Sequence, residues 1–214
     1  MMRILSRLVL PALLMLCARQ GFAVDGQVLI NQSTVMAAGG FPYRITQPGS
    51  YKLSGNLSAP VNVSAIKFDT SNATLDLNGF TIGCNFADGA AFAQGCITDG
   101  SVAQTSLEIR NGSIFVSATA ATYSTGNYVA GIYLSMSSSS TVEGVHLGGT
   151  AKNFSVGGTV TGKNFVLRNN TYAGPAGPSV TCPSVVIGNV NGTLGAGQSG
   201  TGCVGNSNIN FIGF

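Results

Sequence analysis

The stretch LDLNGFTI, from Leu75 to Ile82, has a close counterpart in LEIRNGSI, from Leu107 to Ile114. Three further segments combine apolar residues two places apart with a following turn that contains Asn or Gly: TVEGVHL from Thr141, FVLRNNTY from Phe165 and VVIGNVNG from Val185. Apolar residues at a period of two are typical of a β-strand with one buried face. The chain therefore repeats one short β unit.

A second short strand is predicted before most of these segments, at AIKF (Ala65), CIT (Cys96), GIYL (Gly131) and FSV (Phe154). The repeats have unequal lengths, which argues against a propeller and suits a solenoid whose corner insertions leave the stacked strands intact. We therefore predict an all-β fold, a single-stranded right-handed parallel β-helix of about five coils. An immunoglobulin-like sandwich is the alternative, and it would leave the alignment of the repeats as coincidence.

The alignment also predicts how side chains stack. The residues expected to point inward are Leu75, Leu77, Leu107, Ile109, Val142, Leu167 and Ile187, with Leu77, Ile109, Val142, Leu167 and Ile187 forming one column. The outward residues are expected in two rows, Asp76, Glu108 and Val166 in the first and Asn78, Arg110, Glu143, Arg168 and Gly188 in the second. An asparagine ladder of Asn111, Asn169 and Asn189 is expected at the corner that follows.

The N-terminus has a basic start, a short apolar run and small residues near Ala23. This pattern predicts a secretory signal peptide over residues 1–23, followed by one β-helix domain over 24–214. The apolar run is about half the ~20 residues of a membrane span, so no membrane span is expected. Acylation of Cys17 is the alternative, but Leu16 occupies the position where a small residue is usual. The mature chain is expected to be secreted or periplasmic.

The full sequence contains ten basic and seven acidic residues. Arg3, Arg7 and Arg19 belong to the predicted signal peptide, so seven basic residues face seven acidic ones in the mature chain. A neutral chain offers no basic field for nucleic acid or anionic lipid. Nucleic acid is therefore not expected as a partner.

Four cysteines remain after Cys17 is removed with the signal peptide, and they allow three disulfide connectivities. Their clustering favours Cys84 with Cys96 and Cys182 with Cys203. Zinc is the competing interpretation, but no Cys-x-x-Cys spacing occurs and His146 is the only histidine. We expect no metal and no cofactor, unless calcium accompanies a lyase-like site.

The segments GGFPYRITQPGSYKLSGNL (from Gly39), ATLDLNGFTI (from Ala73) and LEIRNGSI (from Leu107) resemble bacterial secreted right-handed parallel β-helix repeat proteins of pectin-lyase-like architecture. The resemblance is strongest from about residue 25 to 147 and supports the predicted fold. It leaves the chemistry open, because this family includes lyases and glycosidases for acidic polysaccharides, adhesins, spike proteins and many members without assigned activity.

For catalysis, the resemblance points to one cluster of candidate residues, Asp76, Glu108 and Arg110. The glycosidases need clustered aspartates and a Gly-His-Gly histidine, whereas His146 stands in Gly-Val-His-Leu-Gly and is expected to be an incidental surface residue. The lyases hold calcium on acidic residues and use an Arg or Lys base, for which the nearest match is Asp76, Glu108 and Arg110. The alternative is a solvated outer face carrying a charge ladder of Arg110, Glu143 and Arg168.

Two predicted corner insertions, residues 83–95 and 115–130, carry the aromatic residues Phe86, Phe92, Tyr123 and Tyr128. Aromatic rings among small polar residues are a candidate sugar-binding surface. The alternative is that the rings cover the flank of the solenoid. The sequence thus leaves three functions open: a non-catalytic module that binds polysaccharide or cell-surface glycan, a small polysaccharide lyase or glycosidase, and a self-associating solenoid. It does not define the oligomeric state.

Overall fold

The computed structural model describes residues 26–87, 94–118, 129–149, 164–173, 183–191, 204–206 and 209–210. The predicted signal peptide, the FSV segment and the Cys182–Cys203 pair lie outside these ranges. In chain order the strands are β1 (Gln27–Ile30), β2 (Tyr43–Ile45), β3 (Gly49–Leu53), β4 (Leu57–Ser58), β5 (Ile66–Phe68), β6 (Ala73–Asp76), β7 (Thr81–Phe86), β8 (Gln94–Asp99), β9 (Gln104–Thr105), β10 (Leu107–Ala118), β11 (Val129–Tyr133), β12 (Ser137–Ser138), β13 (Thr141–Gly149), β14 (Val166–Arg168), β15 (Thr171–Ala173), β16 (Val185–Ile187), β17 (Val190–Asn191), β18 (Val204–Asn206) and β19 (Ile209–Asn210). One helix, α1 (Gln32–Ala37), follows β1.

Every strand pairing among the described residues is parallel. The largest sheet has 13 strands and runs β1-β3-β6-β10-β13-β14-β16-β18, with β4, β7, β15, β17 and β19 paired off this path. A four-stranded sheet runs β11-β8-β5-β2, and β9 pairs with β12 in a third sheet. The prediction of a mostly β chain with parallel sheets is confirmed.

One apolar column runs through the large sheet on its buried side. The register places five buried residues opposite one another on successive strands: Leu75, Ile109, Val142, Leu167 and Val186. In the four-stranded sheet, Ile66, Ile97 and Ile132 are aligned in the same way and are fully buried. Residues opposite each other on neighbouring parallel strands lie about 4.8 Å apart, so each column is continuous. Burial of a Leu or Ile side chain contributes roughly 1.5–3 kcal/mol.

Leu77 does not belong to this column, and its predicted position is wrong. Asp76 lies opposite Arg110 and Thr81 lies opposite Ser113, so residues 77–80 span the distance that residues 111–112 span on the next strand. The sequence alignment paired the two segments without a gap, with Leu77 opposite Ile109, and so missed this two-residue insertion. Leu77 is still buried, but it packs at the corner against Gly112.

Ile187 is also misplaced by the sequence alignment. It lies opposite Arg168 and is 43% exposed, while Val186 is the buried residue opposite Leu167. Val185, Val186 and Ile187 are consecutive apolar residues, so the period of two cannot fix their phase. A slip of one residue moves every side chain of a strand to its other face.

The helix α1 is absent from the sequence prediction, which was an all-β fold. Asn31 supplies a reciprocal cap: the Thr34 backbone N–H donates to Asn31 Oδ1 at 3.0 Å, and the Asn31 N–H donates to Thr34 Oγ1 at 2.8 Å. Such a capping box stabilises the first turn of a helix. Val35 is the one buried residue of α1, so periodicity gave no indication of it.

The predicted Cys84–Cys96 disulfide is present, with a Cα–Cα distance of 5.6 Å. It joins β7 of the large sheet to β8 of the four-stranded sheet, and both cysteines are buried. Residues 88–93, which lie between these strands, are outside the described ranges.

Candidate functional site

Five charged side chains of the large sheet form one row on its outer face, which we call the charged row. The register aligns Lys52, Asp76, Arg110, Glu143 and Arg168 on five successive strands. The sign of the charge alternates at every step. Asp76 takes the place predicted for Asn78, and Ile187 takes that predicted for Gly188.

The structure brings the three lyase candidates together around Arg110. Its Nη1 lies 3.1 Å from Glu108 Oε1, and its Nε lies 3.5 Å from Asp76 Oδ2. Glu108 belongs to the neighbouring row, where it lies opposite Thr74 and Thr141, whereas Asp76, predicted for the same row, lies in the charged row. Val166 does lie in the Glu108 row, opposite Thr141.

Both carboxylates have further partners. The Asn78 backbone N–H donates to Asp76 Oδ1 at 2.8 Å, and the Thr74 hydroxyl donates to Glu108 Oε2 at 3.3 Å. Farther along the charged row, Arg168 Nη2 lies 2.6 Å from Glu143 Oε2. Calcium binding at Asp76 and Glu108 would have to displace Arg110 from both carboxylates, since calcium needs several free oxygen ligands.

An asparagine ladder exists, and it keeps Asn189 of the predicted members but replaces Asn169 with Asn170. Asn170 and Asn189 are buried, and Asn189 Oδ1 accepts from the Asn170 backbone N–H at 3.0 Å. Asn170 Nδ2 donates to Val142 O at 2.9 Å, and its Oδ1 accepts from Val145 N–H at 2.9 Å. Asn111 and Asn169 are exposed and have positive φ angles of 59° and 56°. The sequence prediction is therefore wrong for these two residues, which lie in the turns with positive φ, while Asn170 and Asn189 hydrogen-bond the backbone of the corner.

A second buried polar group lies near Gly100. Asp99 accepts from the backbone N–H groups of Ser135 (3.2 Å) and Met136 (2.7 Å) and from the Ser137 hydroxyl at 2.8 Å. A Cβ at Gly100 would lie 2.6 Å from Asp69 Oδ1 and 3.0 Å from Gln104 Nε2. Asp69 also pairs with Arg44 at 2.8 Å. These contacts fix the loops beside the four-stranded sheet, and Asp99 acts as a structural acceptor.

Of the predicted aromatic sugar-binding residues, Phe86 is placed wrongly. It is the last residue of β7 and is fully buried in the core. Its alternating position along the strand directs it inward with Ile82 and Cys84. Phe92, Tyr123 and Tyr128 lie outside the described residues, so their role stays a prediction.

An uncharged face covers the outer side of β7, β10, β13 and β15. Its polar row consists of Thr81, Ser113, His146 and Thr171 on successive strands. Its aromatic row, which also includes β4, consists of Ser58, Gly83, Phe115, Gly148 and Ala173. Phe115 is 42% exposed, and His146 is exposed beside it. Sequence reasoning assigned Phe115 to an insertion and so missed this face, although the alternation of Ile114 and Val116 around it indicates a strand.

A surface pocket of about 340 Å³ is lined by residues 38–44, the segment after α1. Arg44 is the one charged residue of this lining.

Over the described ranges, no helix has the length and apolar character needed to cross a membrane. The same part of the chain contains no group of three or more His, Cys, Asp or Glu side chains arranged to hold a metal ion. Comparisons of the chain with family models, with curated proteins and with solved structures give no match.

Proposed function

We propose that this protein is a secreted, non-catalytic parallel β-helix that binds polysaccharide or a cell-surface glycan. The observation that carries the proposal is the uncharged outer face, in which hydroxyl groups, an imidazole and an exposed phenyl ring occupy adjacent rows. Aromatic faces combined with hydroxyl donors and acceptors suit the alternating apolar and polar surfaces of sugars.

The order of the strands supports the solenoid. From β6 and β7 in the large sheet the chain passes to β8 in the four-stranded sheet and β9 in the third, then returns to the large sheet at β10. It repeats this circuit through β11 and β12 to β13. Right-handed crossover is the rule for parallel strands in one sheet. Eight strands succeed one another along the main path, three more than the five segments identified in the sequence.

The charged row supports a non-catalytic role. Arg110, the candidate base, is engaged with two carboxylates, and both carboxylates have a further hydrogen-bond donor. A proton abstraction step needs a base free to approach the substrate. A lyase remains the second candidate function because Asp76, Glu108 and Arg110 do come together on adjacent strands.

Self-association is the third candidate, and the strand edges favour it. Among the described strands, β1 ends the large sheet, and its Val28 and Leu29 are 41% and 49% exposed. Unpaired strand edges can pair with another chain. In the C-terminal INFIGF run, Ile209 and Asn210 form β19, which pairs with β17.

The test is a panel of neutral and uronic-acid polysaccharides, assayed with the purified mature chain for binding and, with calcium present, for the ultraviolet absorbance of unsaturated uronides. The proposal predicts binding without a rise in absorbance. A rise that is lost in both Asp76→Ala and Glu108→Ala would establish the lyase instead. Absence of both signals, together with concentration-dependent oligomers in ultracentrifugation, would support self-association.

A further inference from the structure

We propose that Phe115 and His146 form a stacking subsite for a neutral pyranose unit of the bound polysaccharide. This inference rests on the proposed glycan-binding function and names its site and its class of sugar. It places the site on β10 and β13, away from the charged row.

The glycines of the aromatic row leave the Phe115 ring accessible. In a parallel sheet, side chains of the same row stack on those of the adjacent strands about 4.8 Å away. Phe115 has Gly83 on one side and Gly148 on the other, so neither adjacent strand places a side chain of this row on the ring. Among the described residues, a Cβ at Gly83 would have Leu57 O at 3.7 Å as its one neighbour within 4 Å, so no described side chain covers this side of the ring.

His146 supplies a polar group next to the ring. A Cβ at Gly148 would lie 3.6 Å from His146 Nε2 and 3.8 Å from Phe115 Cδ2. The imidazole and the phenyl ring therefore flank one point above Gly148. Such a pair offers a flat apolar surface with a hydrogen-bonding atom at its side. The hydroxyls of Ser113 and Thr171 lie on either side of His146 in the polar row.

The charge distribution selects a neutral sugar. The two rows of this face contain no Asp, Glu, Lys or Arg among the described residues. A uronate carboxylate placed there would lose water without gaining a cation, which is costly. Neutral sugars present only hydroxyl groups and apolar ring faces.

Three variants test the subsite against the polysaccharides that the mature chain binds. Phe115→Ala removes the ring and is expected to weaken binding of a neutral polysaccharide about tenfold, or ~1.4 kcal/mol. Gly83→Val keeps the ring but covers its open side, and should weaken binding to a similar degree. Ile187→Ala is the matched control, because it truncates an equally exposed apolar residue that lies next to Arg168 of the charged row, and it should leave affinity unchanged. Urea midpoints of all three variants check that they are folded.

His146 is the only histidine of the chain, so its imidazole resonances report on the subsite directly. Addition of a neutral oligosaccharide should shift these resonances in the wild type and not in Gly83→Val.

If the wild type binds but neither Phe115→Ala nor Gly83→Val loses affinity, the subsite is wrong while the proposed function stands. If the wild type binds uronates only, the neutral-sugar assignment is wrong. If it binds no glycan, both fail, and a change of oligomeric state in Phe115→Ala would assign the ring to a protein contact.

Discussion

Single residues decide where the corners of this protein form, and Gly112 is the clearest case. A Cβ there would overlap Leu77 Cβ and lie 2.8 Å from Phe80 O. Gly112→Ala is therefore expected to lower the free energy of unfolding by about 1–3 kcal/mol through overpacking. Gly83→Ala is the control, because its Cβ has space, and it should change stability little. Equal urea midpoints for the two variants would contradict the described packing of Leu77.

Asn170 and Asn169 are adjacent but differ in role. Asn170→Ala would leave the buried Val145 N–H and Val142 O without their side-chain partner, which costs about 1–3 kcal/mol for such a group. Asn169→Gly should stay within about 0.5 kcal/mol of the wild type, because Asn169 is exposed and glycine accepts its positive φ. Urea unfolding of the two variants distinguishes this ladder from the one predicted from sequence, which would give the larger loss at Asn169.

Tyr172 is expected to make stability depend on alkaline pH. Burial raises its pKa above 10.0, and a hydrogen bond with Asn170 opposes this in smaller measure. The folded chain therefore keeps the phenol protonated while the unfolded chain ionises. The contribution of Tyr172 to the free energy of unfolding is complete below about pH 10 and is lost as the pH rises toward the pKa of the folded state. Tyr172→Phe should lose less stability than the wild type above about pH 10, by up to ~1.4 kcal/mol per pH unit. Parallel pH profiles of the two proteins would contradict this.

At the scale of elements, the pairing of the strands aligns the charged row, and the ion pairs between its side chains are weak. Arg168 and Glu143 are partly exposed, so their coupling should be about 0.2–1 kcal/mol and should fall with added salt. A double-mutant cycle of Glu143→Gln and Arg168→Gln, measured by urea unfolding at two salt concentrations, checks this. A coupling near zero at low salt would show that the two side chains do not meet in solution.

The presence of the strands was predictable from the sequence, while the residues that face inward on each strand were predictable only in part. Leu75, Ile109 and Val142 alternate with polar residues, so their inward direction follows from the pattern. The pattern does not decide which residues face inward around Leu77, because a two-residue insertion shifts the alignment there. It does not decide this in the Val185–Ile187 run either, because three consecutive residues are apolar.

The candidate site shows the same division. The meeting of Asp76, Glu108 and Arg110 follows from their strands, but their mutual engagement depends on rotamers and on Thr74 and Asn78, which no local pattern indicates. Phe115 was overlooked for a different reason. Its exposure depends on glycines from two other strands, Gly83 and Gly148, and this juxtaposition exists only after folding.

For the whole molecule, the central claim is that one continuous stack of parallel strands carries both the charged row and the uncharged face. Positions 52 and 168 are separated by four strand steps along this stack. The direct measurement is double electron–electron resonance between two spin labels. Each label is attached to an unnatural amino acid, one replacing Lys52 and the other replacing Arg168. The stack predicts a narrow distribution centred near four strand spacings, about 19 Å between the backbones. A broad distribution, or a centre beyond about 30 Å once the label arms are accounted for, would contradict the parallel stack and both proposals that depend on it.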